Sequence, residues 1–392
     1  MKGIDLQGLS RLITDATIGI TNLVEEVHKR VVHPPFLPST PIQHLITDIS
    51  GIAYKNIRWS TKTIGGALDK VLGQIAPVFG AIKVTKEREA AKSVLNGILG
   101  DFLEKKDNPL KINMQFRYQS KPIKLNSESL SKTYPTVNGK VLLMVHGSCM
   151  NDIQWTRKDH NHGTLLAKEL DKTPVYLHYN SGLHISSNGK KLNNLLEALV
   201  QNWPVPIEDI TIISHSMGGL IVRSAIHYGE NKTWTTHLKK IVFLGTPHHG
   251  SPLERIGNYF NFIIESIPYA KPFAQLGKVR SAEVTDLRYG NIVDEDWLGK
   301  DRFAIKGDQR QHIALPEFTD CYSIAAVIKN EKDTPYSQMS GDRLVDIKSA
   351  LGEHKNPSKN ILFNDTYVAY ENNHLDLLND IKIYAKLKEW LT

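Results

Sequence analysis

Only two of the 392 residues are cysteine, Cys149 and Cys321. Two thiols so far apart declare no disulfide framework, so a reducing compartment is the simpler expectation. No uninterrupted apolar stretch reaches membrane-spanning length. The nearest, from Val71 to Ile82, is short and broken by Pro77. The first residues, Met1-Lys2-Gly3-Ile4-Asp5, lack the charged segment and apolar run of a secretory signal, and a cytoplasmic chain is expected. The net charge of +7 comes from lysines and arginines interspersed with acids. With no dense basic run and no nucleic-acid motif, solvated surface is the expectation and a nucleic-acid partner is not. No internal repeat is visible. No cluster has metal-ligand spacing, because His248 and His249 are adjacent on a turn and face apart. Neither a metal nor a cofactor is expected. At 41% hydrophobic and 23% charged residues the balance is globular, and the length suffices for one large core plus an additional region.

What is present is local pattern. Ile210-Thr211-Ile212-Ile213 is β-branched and suits a central strand. Ser214-His215-Ser216-Met217-Gly218-Gly219 follows, and then Leu220 to Ile226 with apolar residues at helical spacing. This is the layout of a nucleophile elbow, the strand-turn-helix that lifts a serine hydroxyl above an α/β-hydrolase sheet. The turn is strained, so residues two before and two after the serine must be small; here they are Ser214 and Gly218. Ser216 is the expected nucleophile. A glycine-rich turn with an incidental serine is the plainer alternative.

Upstream, Lys140 to Val145 reads as a second buried strand ending in His146-Gly147. Ester cleavage builds negative charge on a carbonyl oxygen, and two backbone amides aimed at it lower the barrier. In this elbow architecture one amide follows the nucleophile and the other lies in the loop after the third strand, which predicts Met217 and Ser148.

A reactive serine also needs a histidine oriented by a carboxylate. Cys321 to Ile328 reads as a late strand, and Gly341-Asp342 stands in the loop beyond it. Asp342 is the expected acid, with Asp346 as competitor and a turn or helix-cap role as the plainer reading. Asn360 to Phe363 and Thr366 to Tyr370 suggest the last strand region. His374 comes after it, before Leu375-Asp376-Leu377-Leu378, read as the start of a final amphipathic helix, and is the expected base. His354 is the runner-up but precedes the last strand. His146 and His215 are read as packing or hydrogen-bonding residues.

Together, Ser214 to Gly219, the block Gly245-Thr246-Pro247-His248-His249-Gly250-Ser251, Gly341-Asp342, His374 to Leu378, and the segment Tyr179 to Gly189 resemble the bacterial lipase and esterase branch of the α/β-hydrolases. That branch is related to the GPI inositol-deacylase-like proteins. The resemblance runs roughly from Val141 to the C-terminus. It implies Ser216 as nucleophile, Asp342 as acid and His374 as base, acting on carboxylic esters. Two positions depart from the pattern: Ser214 replaces the usual first glycine, and Arg343 stands where relatives often have glycine.

The expected architecture is therefore an α/β fold, a mostly parallel sheet flanked by helices. Residues 106–392 form the catalytic domain, with a helical cap or lid insertion over 251–315 built from Leu253, Ile256, Tyr259, Phe260 and further apolar residues to Leu276. Residues 1–105 form a helical region: apolar residues recur at helical spacing from Leu9 to Val24, the prolines of His33–Pro38 end that helix, and further helices are expected around Ile42–Tyr54, Ile64–Leu72 and Ala90–Leu103. It is read as scaffold or, in the sharper version, as an amphipathic element making peripheral membrane contact. Leu110 to Tyr118 is the expected entry strand. The function expected is that of a serine ester hydrolase acting on a small-molecule or lipid ester. The alternatives are an acyltransferase, amidase or glycolipid deacylase with the same three residues, or a silent fold that binds lipid.

Overall fold

Aliphatic runs without polar alternation must be covered on both faces, and that demand organises this chain. The computed structural model describes residues 86–134, 136–251, 281–300, 308–330 and 341–392, with isolated positions (5, 7, 8, 10–12, 14, 15, 18 and 55) before them. The strands are β1 (Gln115–Tyr118), β2 (Lys121–Pro122), β3 (Lys140–Val145), β4 (Thr173–His178), β5 (Asp209–His215), β6 (Leu238–Leu244), β7 (Asp320–Val327) and β8 (Asp365–Tyr370). They form one eight-stranded sheet in the order β2-β1-β4-β3-β5-β6-β7-β8. All pairings from β4 to β8 are parallel; β1 runs antiparallel to both β2 and β4. The central strands β3 and β5 are buried from Val141 to Val145 and from Ile210 to His215. This is the mostly parallel, helix-flanked sheet that the motifs imply.

Helices span Lys86–Lys105, His162–Glu169, Ile185–Asn202, Met217–Tyr228 and Ile381–Leu391. Their starts follow from local chemistry. The side chain of Asn161 accepts from the Thr164 amide at 2.9 Å, and that of Asp380 from the Lys382 amide at 2.7 Å, which satisfies helix donors that have no partner within the helix. The expected helix over Ala90–Leu103 lies inside Lys86–Lys105, with a break in helical geometry at Leu99.

Three boundaries differ from the sequence reading. Strand pairing begins only at Gln115, because asparagine side chains claim the preceding amides: Asn108 Oδ1 takes Leu110 N and Asn96 Oδ1 takes Ile112 N, both at 2.9 Å. Asn360–Phe363 is not strand; Ile361 N turns back to Gly352 O. Asp376–Leu378 is a single 3-10 turn, and the last helix starts at Ile381 behind its Asp380 cap.

The chain divides into two compact units, residues 1–84 with 103–111, and residues 85–102 with 112–392. The second holds the whole sheet. The helices read at Ile42–Tyr54 and Ile64–Leu72, the proline break and the apolar insertion from Leu253 to Leu276 lie outside the described residues. Of the 251–315 insertion, the helix Ala282–Leu287 is described and fully buried. Among the described residues no helix is long and apolar enough to cross a membrane.

Within the second unit, Arg117 on β1 is a buried tie. Its Nη1 meets Glu89 at 2.9 Å and Asp152 at 3.1 Å. One cation thus joins the helix Lys86–Lys105, the strand β1 and the turn at Asp152. Arg117→Ala would leave two buried carboxyls without their cation and is expected to lower stability by about 3–5 kcal/mol, read as a shift in the urea unfolding midpoint. A loss under about 1 kcal/mol would mean that water takes the arginine's place.

Candidate active site

β5 delivers its last residue, His215, to the C-terminal edge of the sheet, and the chain reverses there. Ser216 carries φ 54° and ψ −130°, a conformation that costs a non-glycine residue on the order of 1–3 kcal/mol. The surroundings hold it there. Ser216 N donates to Leu244 O at 2.8 Å, and Ser216 O accepts from Gly219 N at 3.0 Å. The serine at position 214 is accommodated without an orphaned hydroxyl, because its Oγ donates to Val242 O at 3.3 Å.

The loop after β3 closes the other side. A methyl group placed on Gly147 would lie 3.0 Å from Ser216 Cβ and 3.1 Å from His215 Nδ1, so this backbone backs directly onto the serine. Only a residue without Cβ permits that approach. Tyr179 donates to His146 O at 2.6 Å and Ser181 Oγ accepts from Cys149 N at 3.0 Å, which fixes the loop from both ends. Met217 thus follows Ser216 directly, and Ser148 follows the glycine packed against it. Behind Ser148 lies Glu283, fully buried; burial pushes its carboxyl well above the usual range, partly offset by the Ser148 hydroxyl. Nothing in the sequence signals this glutamate, which stands in an ordinary amphipathic stretch.

Asp342 and His374 meet. His374 Nδ1 donates to Asp342 Oδ2 at 2.6 Å, with both side chains 1% exposed. The other carboxylate oxygen accepts from Leu344 N at 2.9 Å and Val345 N at 2.8 Å. Asp342 is therefore at once the turn-forming aspartate of the plainer reading and the partner of the imidazole. With Nδ1–H committed to the carboxylate, Nε2 is the basic nitrogen. Gly341 and Arg343 flank the acid at φ 83° and 77°; the arginine occupies a left-handed conformation usually left to glycine.

Two connections tie the His374 loop to the backbone of the serine turn. Leu244 O holds Ser216 N, and the next residue, Gly245 at φ 58°, lies so close to His374 that an added methyl would sit 3.0 Å from Cε1. Cε1 is the carbon between the two ring nitrogens. From the other side, His215 Nε2 donates to His374 O at 3.1 Å. The block 245–251 also braces the acid loop, through Ser251 Oγ to Leu344 O and Ser349 Oγ to Gly250 O. The competitors are engaged elsewhere. Asp346 caps a short helix through the Lys348 amide, and His354 lies 3.4 Å from Asp308.

Burial holds several histidines neutral. His146 and His162 are pulled down to about 3, and His178, His215 and His248 fall well below the ordinary value, in each case first through loss of solvent. Cys149 and Cys321 are free and buried. Among the described residues no group of three or more histidine, cysteine or acidic side chains is placed to hold a metal ion.

Residues 136–315 match the family model of a PGAP1-like alpha/beta domain, a span that includes Ser148, Ser216 and Met217 and ends before Asp342 and His374. Among solved structures, the mature form of the Bacillus licheniformis lipase BlEst2 is similar at 16% identity and TM-score 0.43, covering 66% of this chain and 94% of that one. An esterase of Pyrococcus furiosus is similar at 12% identity and TM-score 0.39, over 65% of this chain and 81% of that one. The phospholipase PlaB of Legionella pneumophila is similar at 14% identity and TM-score 0.35, over 54% of this chain and 45% of that one. No curated protein sequence matches the chain.

The neutral histidines make stability depend on pH. Their folded-state values lie below the unfolded value of 6.5, so the unfolded chain takes up protons first as pH falls. Stability is expected to be complete above about pH 6.5 and to be lost progressively toward pH 3. Urea midpoints measured across this window should fall steeply, and a flat profile would contradict the buried neutral rings.

Proposed function

We propose that this α/β-hydrolase is a serine ester hydrolase of lipase or carboxylesterase type, cleaving carboxylic esters through an acyl-enzyme on Ser216. The observation that carries this reading is the buried His374–Asp342 bond at 2.6 Å, on a ring packed against Gly245, directly beyond the residue that anchors Ser216 N. His374 Nε2 takes the serine proton as Oγ attacks the ester carbonyl. Asp342 keeps Nδ1–H in place and stabilises the imidazolium that forms. The amides of Met217 and Ser148 receive the developing oxyanion. Collapse of the tetrahedral intermediate expels the alcohol, which takes the proton from His374. Water, deprotonated by the same histidine, then releases the acid and restores Ser216.

The buried position of Asp342 and His374 supports this reading over a structural one. A carboxylate and an imidazole withdrawn from water are costly unless fully engaged. Here the carboxylate takes two amides and one ring N–H, the arrangement that fixes the ring orientation and leaves Nε2 as the nitrogen not committed to the acid. The substrate is a small-molecule or lipid ester.

Ser216→Ala is expected to lower kcat on a short p-nitrophenyl ester by about 10⁴-fold or more, and Asp342→Asn by about 10⁴-fold, with circular dichroism unchanged. Undiminished turnover by purified Ser216→Ala would overturn the assignment.

A further inference from the structure

A cavity in the same unit, away from the candidate active site, has a chemistry of its own. Its volume is roughly 500 Å³, and none of Ser216, Asp342, His374, Met217 or Ser148 lines it. It lies between β1, β4 and the segment 151–161, with Tyr118 and Tyr176 contributing aromatic walls. The remaining lining mixes apolar residues (Ala90, Ile153, Pro174) with amide and hydroxyl side chains, several of them paired with one another, and two cations, Lys86 and Arg157.

Arg157 is the unusual member. It is half-buried, and its Nε is shielded from solvent without meeting an acceptor. Its side chain makes no ion pair or hydrogen bond among the described residues. Burial pulls its pKa down, and the acid opposing this is Asp376, whose Oδ2 already accepts Asn373 N at 3.0 Å. The one acid in the lining, Asp152, is taken by Arg117 at 3.1 Å. The contrast with Arg117 is direct: that arginine is buried with two carboxylates, whereas Arg157 is half-buried with no carboxylate in contact among the described residues. A cation withdrawn from water without a paired anion is unfavourable unless something else supplies the charge.

We propose that this cavity binds a phosphorylated polyol, with the phosphate on Arg157 and the hydroxyls against Gln119, Ser120 and Gln154. The guanidinium fork matches phosphate oxygens, and Lys86, exposed at the rim, adds a second positive charge. The volume exceeds that of a bare ion, and Gln119, Ser120 and Gln154 stand beside the cations as partners for hydroxyls. Gln154 has already given its Oε1 to the Asn151 amide at 2.9 Å, which turns its NH₂ into the donor on offer. Such a ligand could be a soluble polyol phosphate or the glycerophosphate headgroup of a lipid. The proposal stands apart from the esterase reading.

Calorimetric titration of the full chain tests it. Glycerol 3-phosphate is expected to bind saturably, and glycerol to bind at least about tenfold more weakly. Arg157→Gln should weaken glycerol 3-phosphate about tenfold or more, with Arg157→Lys intermediate, and without lowering the ligand-free unfolding midpoint. Lys86→Gln, on the exposed rim, should weaken binding by roughly two- to fivefold and serves if Arg157→Gln does not fold. Phosphatidylglycerol vesicles that compete with glycerol 3-phosphate, where phosphatidylcholine vesicles do not, would assign the headgroup source; absence of competition would assign the soluble one. No saturable binding, equal affinity for glycerol, or an affinity unchanged in both Arg157→Gln and Lys86→Gln would overturn the proposal.

Discussion

The carboxylate of Asp342 and the imidazole of His374 are both withdrawn from water and held 2.6 Å apart, and most of the local architecture serves that contact. A buried carboxylate is tolerated only when its lone pairs are occupied. Two backbone amides, at Leu344 and Val345, take one oxygen, and the ring takes the other. The acid loop cannot move without breaking those bonds. Ser251 holds it through the Leu344 carbonyl, which is why the Gly-Thr-Pro-His-His-Gly-Ser block belongs with the site although none of its side chains is assigned a chemical step.

The second constraint is the turn at Ser216. A strained backbone persists only where its surroundings over-determine it. Leu244 O on the neighbouring strand, the helix that starts at Met217 and the glycine backbone at 147 together do so. The parallel sheet brings these elements together at one edge, because β3, β5 and β6 end at the same level and run in the same direction. Gly245 then serves two ends at once, continuing the strand that anchors Ser216 and lying flat against His374.

Much of this was legible in the chain. The β-branched run before Ser214 marked β5, and the order of serine, aspartate and histidine along late strands singled out Asp342 and His374. The structure brings those two together and gives Asp346 and His354 other partners. Strand boundaries were less legible, because side chains of Asn96 and Asn108 capture backbone amides that a propensity reading assigns to a strand. Glu283 and Arg157 were not legible at all. A lone glutamate or arginine in an amphipathic stretch reads as solvated surface, and only tertiary packing reveals that one is buried behind Ser148 and the other lines a cavity without a paired anion.

The unit that carries the sheet thus holds two chemically distinct regions, the buried Asp342–His374 pair beside the Ser216 turn and a cavity lined by Arg157. The central claim concerns the first. Reaction of the protein with a fluorophosphonate, followed by peptide mapping and assay of the same sample, tests it most directly. The account predicts a single phosphonylated residue, Ser216, with ester turnover lost in proportion to labelling. A label on another residue, or turnover that persists once Ser216 is fully modified, would contradict it.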